Sequence, residues 1–219
     1  MTVVAIDGPA GAGKSTVARA VAGVLGFDYL DTGAMYRAVA LGALEREISP
    51  ADSDALVSLA ESIQIQLRGE QVILDGRDVS AAIRKDEVTA MVSRIAAVPG
   101  VRRAMATTQR RIAESSDVVM EGRDIGSEVV PNAEVKIFLT ASIRERARRR
   151  AEQLGRATDE EAIEDLVRSI EARDRADASR SDSPLVKADD AVLIDSTSTG
   201  VEEVVEEIAR VAGEVLHDH

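Results

Sequence analysis

Cysteine and tryptophan are absent, and four aromatic residues, Phe27, Tyr29, Tyr36 and Phe138, make up 2% of the 219 positions. Without cysteine there is no disulfide framework, no thiolate nucleophile and no Cys-based zinc site, so a reducing compartment is the expected setting. So few rings leave little for single-stranded nucleic acid to stack on. A formal charge of −12 likewise lacks the basic surplus that holds a phosphate backbone. No segment approaches the roughly 20 apolar residues of a membrane span. Residues 1–7 lack the basic start and long apolar stretch of a signal peptide. The expectation is a monomeric cytoplasmic protein with neither nucleic acid nor membrane as partner. Asn132, the only asparagine, is followed by Ala133, which removes the Asn-Lys-x-Asp signature of a guanine-reading switch.

What is present is an ordinary globular composition, 45% hydrophobic and 30% charged, at a length that suits one mid-sized α/β domain with a small insertion. Residues 2–6 are β-branched and apolar and end in Asp7-Gly8-Pro9, after which apolar residues recur at helical spacing over 14–24. A helical pattern over 33–46 gives way to turn and cap residues at 48–54. Ile63, Ile65 and Leu67 then alternate with polar residues, and Arg68-Gly69-Glu70 turns the chain into 72–74, which predicts an antiparallel hairpin. Helical stretches over 85–97 and 100–114 are separated by Pro99-Gly100. Residues 118–120, 135–139 and 191–194 are short apolar runs of the kind buried on both faces of a parallel sheet. Ser142 with Glu145, Thr158 with Glu161, and Thr199 with Glu202 read as capping boxes of intervening helices. Residues 180–190 read as a loop, and His217 and His219 fall in a terminal tail rather than a site.

The sequence Gly8-Pro9-Ala10-Gly11-Ala12-Gly13-Lys14-Ser15, with Thr16 following, matches the P-loop pattern in its required setting, strand before and helix after. Small residues let backbone N–H groups converge on phosphate, the helix presents its positive end, Lys14 reaches the β and γ phosphates, and Ser15 suits Mg²⁺. Residues 8–16 are therefore the expected ATP site. A P-loop alone does not separate kinases from switches or motors.

Three further segments carry a resemblance. Asp31-Thr32-Gly33-Ala34-Met35-Tyr36-Arg37, Glu121-Gly122-Arg123-Asp124-Ile125-Gly126 and Arg173-Asp174-Arg175-Ala176-Asp177, in this order after the P-loop, resemble the bacterial cytidylate kinases over nearly the whole chain. The resemblance implies an α/β fold with a parallel five-stranded sheet flanked by helices, a P-loop NTPase core. It implies one kinase domain over 1–219, with core 1–59 and 99–219, a small α+β acceptor-binding insertion at about 60–98, and a short helical lid at about 144–160. It also implies transfer of the γ-phosphoryl of ATP to CMP or dCMP with Mg²⁺. On that likeness Ser93, Arg102 and Asp124 read cytosine, Arg37, Arg123 and Arg180 hold the acceptor phosphate, Arg173 and Asp177 contact its sugar, and Thr32 and Tyr36 belong to the same CMP site. The chemistry fits, since cytosine offers an exocyclic amino donor beside N3 and O2 acceptors, and arginine grips phosphate with a planar, permanently charged fork. Taken alone, Ser93 and Arg102 read equally as solvated helix positions, and Asp124 and Asp177 as structural ion-pair partners.

Arg144, Arg146, Arg148, Arg149 and Arg150 crowd one predicted helix, where Glu145 and Glu152 offer few local partners. A charge run is usually a solvated face, but the resemblance places this one at the lid. Arg146 and Arg149, with Lys14, Arg123 and Asp124, form the expected catalytic set. Glu121 stands where members of the family often carry Asp, so Mg²⁺ is assigned chiefly to Ser15. Another small-molecule P-loop kinase and a non-catalytic nucleotide-binding module are the competing readings.

Overall fold

The computed structural model describes residues 1–69, 71–180 and 182–217, with backbone only at Arg68 and His217. Glu70 of the expected hairpin turn, Ser181 of the expected loop and His219 of the tail lie outside the described residues, as does the side chain of His217. The chain divides into two compact units, Met1–Tyr29 with Ser116–His219, and Leu30–Ser115. The 60–98 segment lies within the second unit.

In the first unit, β1 (Val3–Asp7) leads through the glycine loop into α1 (Lys14–Leu25), and β2 (Asp28–Asp31) carries the chain across the unit boundary. After the second unit the chain returns as β6 (Val118–Gly122), β7 (Val135–Thr140), α6 (Ile143–Gln153), α7 (Glu160–Ala178), β8 (Val192–Asp195) and α8 (Val201–His217). The five-stranded sheet runs β2-β6-β1-β7-β8, and β1 pairs in parallel with both β6 and β7. Every residue of β1 and β6 is buried, which explains their unbroken apolar runs. Val4, Ile6, Val119, Ile137 and Leu139 meet Val17 and Val21 of α1 and Val204 and Ile208 of α8 in one cluster. Ala147 and Ala151 of α6 form another with Ile163, Leu166 and Ile170 of α7.

Two of the three expected capping boxes shift. Ser142 does accept from the Glu145 N–H, at 3.4 Å. At α7 it is Asp159, not Thr158, that caps, accepting from Ala162 at 3.0 Å. Before α8 the first helical bond is accepted by the Gly200 carbonyl, while Thr199 donates to the Asp195 carbonyl.

The second unit contains α2 (Thr32–Glu45), α3 (Ser53–Ser62), β3 (Ile65–Arg68), β4 (Gln71–Leu74), β5 (Arg77–Asp78), α4 (Asp86–Ile95) and α5 (Pro99–Ala113). The antiparallel hairpin β3–β4 is extended by the short β5 into three strands. Pro99 sits in the first turn of α5, so Pro99-Gly100 starts this helix as well as ending the previous one. Gly100 lets α3 approach, because a Cβ there would lie 2.3 Å from Cγ2 of Val57. Valine on a helix has little χ1 freedom to retreat. Gly100→Ala is therefore expected to lower stability by about 1–2 kcal/mol despite its better helix propensity, read as a fall in melting temperature. A rise would contradict the close approach.

Candidate phosphoryl-transfer site

The loop between β1 and α1 is built from conformations that only glycine adopts without strain. Gly8, Gly11 and Gly13 have φ of 149°, 78° and 91°. A Cβ on Gly8 would lie 2.0 Å from the Leu139 carbonyl oxygen of β7, and one on Gly11 3.0 Å from the Arg146 carbonyl of α6. Gly8 thus lets the loop cross the end of the sheet, and Gly11 lets α6 come onto it. Gly13 occupies the position before α1, whose first-turn N–H groups and positive end face the loop.

Cations grip the loop from behind. Lys14, buried, donates to the Pro9 carbonyl at 2.8 Å. Arg146 donates to the carbonyls of Ala10 and Ala141, each at 3.0 Å, and to Asp174. Asp174 takes the Ala10 N–H at 3.2 Å as well, so one carboxylate joins the loop, α6 and α7. Arg149 donates to the Ala12 carbonyl at 3.3 Å, to the Ser196 carbonyl at 2.6 Å and to Glu145 at 2.8 Å. The other arginines of α6 face outward and are paired: Arg144 with Glu160 and Glu164, Arg148 with Glu145 and Glu152, and Arg150 with Gln153. Within α6, Glu145 and Glu152 pair with Arg148 and Arg149, and the carboxylates that pair with Arg144 come from α7. Of the five, Arg146 and Arg149 donate to loop carbonyls.

Beside the loop, β6 carries buried Glu121 one residue before its end, and Glu121 accepts from the Tyr29 hydroxyl at 2.5 Å. The next residues leave the strand through Arg123 and buried Asp124 into a π-helical turn, Ile125–Val129. Such turns are uncommon and concentrate at functional sites. Asp7, at the end of β1, accepts the N–H groups of Ile125 and Gly126 at 2.9 and 2.8 Å. Burial, helped by nearby Asp124, pushes the Asp7 carboxyl from 3.8 up to about 6. Burial also pulls the Lys14 ammonium well below the ordinary lysine range; Arg123 and Arg173 add to this, while Glu121 and Asp7 oppose it. Asp177 of α7, 2% exposed, accepts from Arg123 Nε at 3.0 Å and pairs with Arg180. Arg123 and Arg180 are thus drawn together on one carboxylate.

Within the second unit, Asp31 caps α2 by accepting from Ala34 at 2.8 Å and holds Arg37 at 2.7 Å. Thr32 and Tyr36 are buried on the same helix. Arg102 is buried too, 5.5 Å from the centre of the Tyr36 ring and donating to the Ala96 carbonyl at 3.3 Å. The alternative of a solvated helix position therefore fails for Arg102, and half-buried Ser93 lies on α4. Ser15 and Thr16, at the start of α1, are exposed.

Sequence reasoning passed over Asp7, Asp174 and Ser196. A carboxylate ending an otherwise apolar strand was a usable signal for Asp7, and Asp174 sits inside the motif Arg173-Asp174-Arg175-Ala176-Asp177. Nothing around Ser196 marked it.

A glycine loop between a buried parallel strand and a helix, backed by a buried lysine and two helix arginines, defines a P-loop kinase. The sequence profile of the cytidylate kinase family matches residues 4–214, and the chain belongs to that family. Cytidylate kinase of Caldanaerobacter subterraneus subsp. tengcongensis is 50% identical over 205 residues, covering 94% of this chain and 92% of that protein. Cytidylate kinase of Desulforamulus reducens is 52% identical over 208 residues, covering 94% of each. Among solved structures, an uncharacterized protein from Eubacterium ventriosum shares the fold with a TM-score of 0.53 at 13% identity, over 97% of this chain and 98% of that one. No helix among the described residues is long and apolar enough to cross a membrane.

Proposed function

We propose that the protein is a cytoplasmic cytidylate kinase that transfers the γ-phosphoryl group of ATP to CMP or dCMP, giving CDP or dCDP and ADP. The observation that carries the reading is the pairing of a P-loop, which binds the donor, with Arg123 and Arg180 gathered on Asp177, which present two guanidinium groups to an acceptor phosphate. Arg37 joins them on the phosphate, and Arg173 and Asp177 meet the sugar. Ser93, Arg102 and Asp124 read the base, and Thr32 and Tyr36 complete the acceptor site. The P-loop amides of residues 8–16 cradle the donor phosphates.

Phosphoryl transfer asks the protein chiefly for positioning and charge neutralisation. Lys14, Arg146 and Arg149 meet the charge that moves from the γ-phosphoryl to the leaving oxygen, and Asp124 orients the acceptor. The exposed Ser15 hydroxyl and the Glu121 carboxylate are hard oxygen donors that fit Mg²⁺. Ser15 would be its chief protein contact, with Glu121 in support, and the charge it would supply there would neutralise the phosphates of the bound triphosphate.

Base reading is tested by Ser93→Ala. Uracil carries O4 where cytosine carries its amino group, so an acceptor set for cytosine is left unpaired by uracil. The substitution is expected to reduce the preference for CMP over UMP by about 10-fold, the worth of one buried hydrogen bond, with the KM for ATP unchanged. An unaltered CMP to UMP ratio in kcat/KM would remove Ser93 from base recognition.

A further inference from the structure

Ala10, inside the P-loop, is tied to α6 and α7 through its side chain and through both of its backbone polar groups. Its methyl group packs against the cluster of Ala147, Ala151, Ile163, Leu166 and Ile170. Its N–H donates to Asp174 Oδ1 at 3.2 Å, and its carbonyl accepts from Arg146 at 3.0 Å. Asp174 and Arg146 pair with each other in turn.

The peptide bonds of the loop are trans, so the C=O and N–H of each point in opposite directions. With the Ala10 carbonyl fixed on Arg146, the Gly11 N–H of the same peptide is turned away from that guanidinium, which keeps it among the amides that serve the donor phosphates. The preceding peptide is held at both ends: the Pro9 carbonyl accepts from Lys14 at 2.8 Å, and the Ala10 N–H is the one that meets Asp174. Lys14 is also the cation required at the donor phosphates. When it turns to them, the Asp174 contact still holds this peptide.

We infer that Asp174 is a positioning residue of the donor site: with Arg146 it presets the Ala10 corner of the P-loop, so that the loop keeps its phosphate-binding shape while Lys14 engages the triphosphate. The inference rests on the donor role proposed above for the P-loop. Asp174 acts through the loop and not by touching substrate.

A carboxylate near a triphosphate also has an opposing effect. Its negative charge repels the donor, so an Asp174 that did no more than neutralise Arg146 would weaken ATP binding, and its removal would strengthen it. The two roles differ in sign. Asparagine separates them: it removes the charge, and its single acceptor oxygen serves either the Ala10 N–H or Arg146 while its NH₂ faces the other donor.

The test titrates wild type and Asp174→Asn at equilibrium, without acceptor, using ATP and inorganic tripolyphosphate. The second probe reports on the phosphate cradle without the nucleoside. Affinity for both is expected to fall by about 10-fold, the worth of a hydrogen bond to a charged group, while the KM for CMP at saturating ATP stays within about 3-fold. Unchanged or tighter binding of tripolyphosphate, or an equal loss toward ATP and CMP, would overturn the inference. If Asp174→Asn does not fold, amide hydrogen exchange in the wild type is the readout. The Ala10 N–H is expected to be protected to within about 3-fold the same with and without tripolyphosphate, because its partner belongs to the protein. An Ala10 amide that exchanges like an exposed peptide until tripolyphosphate binds would contradict a preset loop. The donor reading fails separately: a wild type that binds neither ATP nor tripolyphosphate sinks that reading, whereas wild-type binding matched by Asp174→Asn removes only the role of Asp174.

Discussion

Lys14→Met is expected to lower kcat by about 10³-fold or more while leaving the fold intact or slightly more stable. The two halves of this result share one cause. Lys14 is 6% exposed and its ammonium is held well below the ordinary lysine range by burial. Its charge is thus costly to the folded protein, and the proposed function gives that charge its use at the donor phosphates. Replacing a buried charge by an apolar side chain of similar length is often neutral or stabilising. Removing a cation from the transferring phosphoryl group costs several kcal/mol of transition-state stabilisation, and 10³-fold corresponds to about 4 kcal/mol. The check pairs a melting curve with single-turnover transfer. A large fall in melting temperature with kcat near wild type would mean that Lys14 serves the loop through its Pro9 contact instead.

The second large effect falls on the acceptor side. Arg123→Ala is expected to raise the KM for CMP about 100-fold, since a charge-assisted hydrogen bond to phosphate is worth about 1.5–3 kcal/mol. It also leaves Asp177, 2% exposed, with Arg180 as its remaining ion-pair partner at this site. The negative charge of Asp177 then offsets more of Arg180, so the acceptor phosphate loses more than one cation. Affinity for ATP, measured by equilibrium titration without acceptor, is expected to change by less than about 3-fold. A parallel loss in both affinities would place Arg123 on the donor.

The parts of the fold that were legible are those with a purely local cause. Strands β1 and β6 announce themselves because burial on both faces demands apolar runs, and the P-loop because phosphate binding demands glycine at fixed spacing. Strand β2 was not legible: Asp28-Tyr29-Leu30-Asp31 has no such run, and it is a strand because the edge of β6 is there to be paired, with Asp28 donating to the Asp117 carbonyl. The caps of α7 and α8 were misplaced for a related reason. Thr158 and Asp159 are both good caps, and only the packing of α6 on α7 chooses between them.

In the site, residue types were readable and their pairings were not. Five arginines on α6 look alike in sequence, yet helical phase and the proximity of Gly11 bring Arg146 and Arg149 to the loop. Asp174 and Asp177 are both carboxylates of one motif, but Asp174 braces the P-loop whereas Asp177 gathers Arg123 and Arg180. Those distinctions depend on which strand end each helix face meets, which no local pattern encodes.

The central claim is that this P-loop kinase phosphorylates a cytosine nucleotide. Its most direct test is kcat/KM for CMP, dCMP, UMP and AMP with ATP as donor, followed through ADP production. The account predicts that CMP and dCMP are turned over at least about 100-fold better than AMP, with UMP between or lower, as expected where wrong bases leave buried polar groups unpaired. Turnover of AMP or UMP above that of CMP would contradict it.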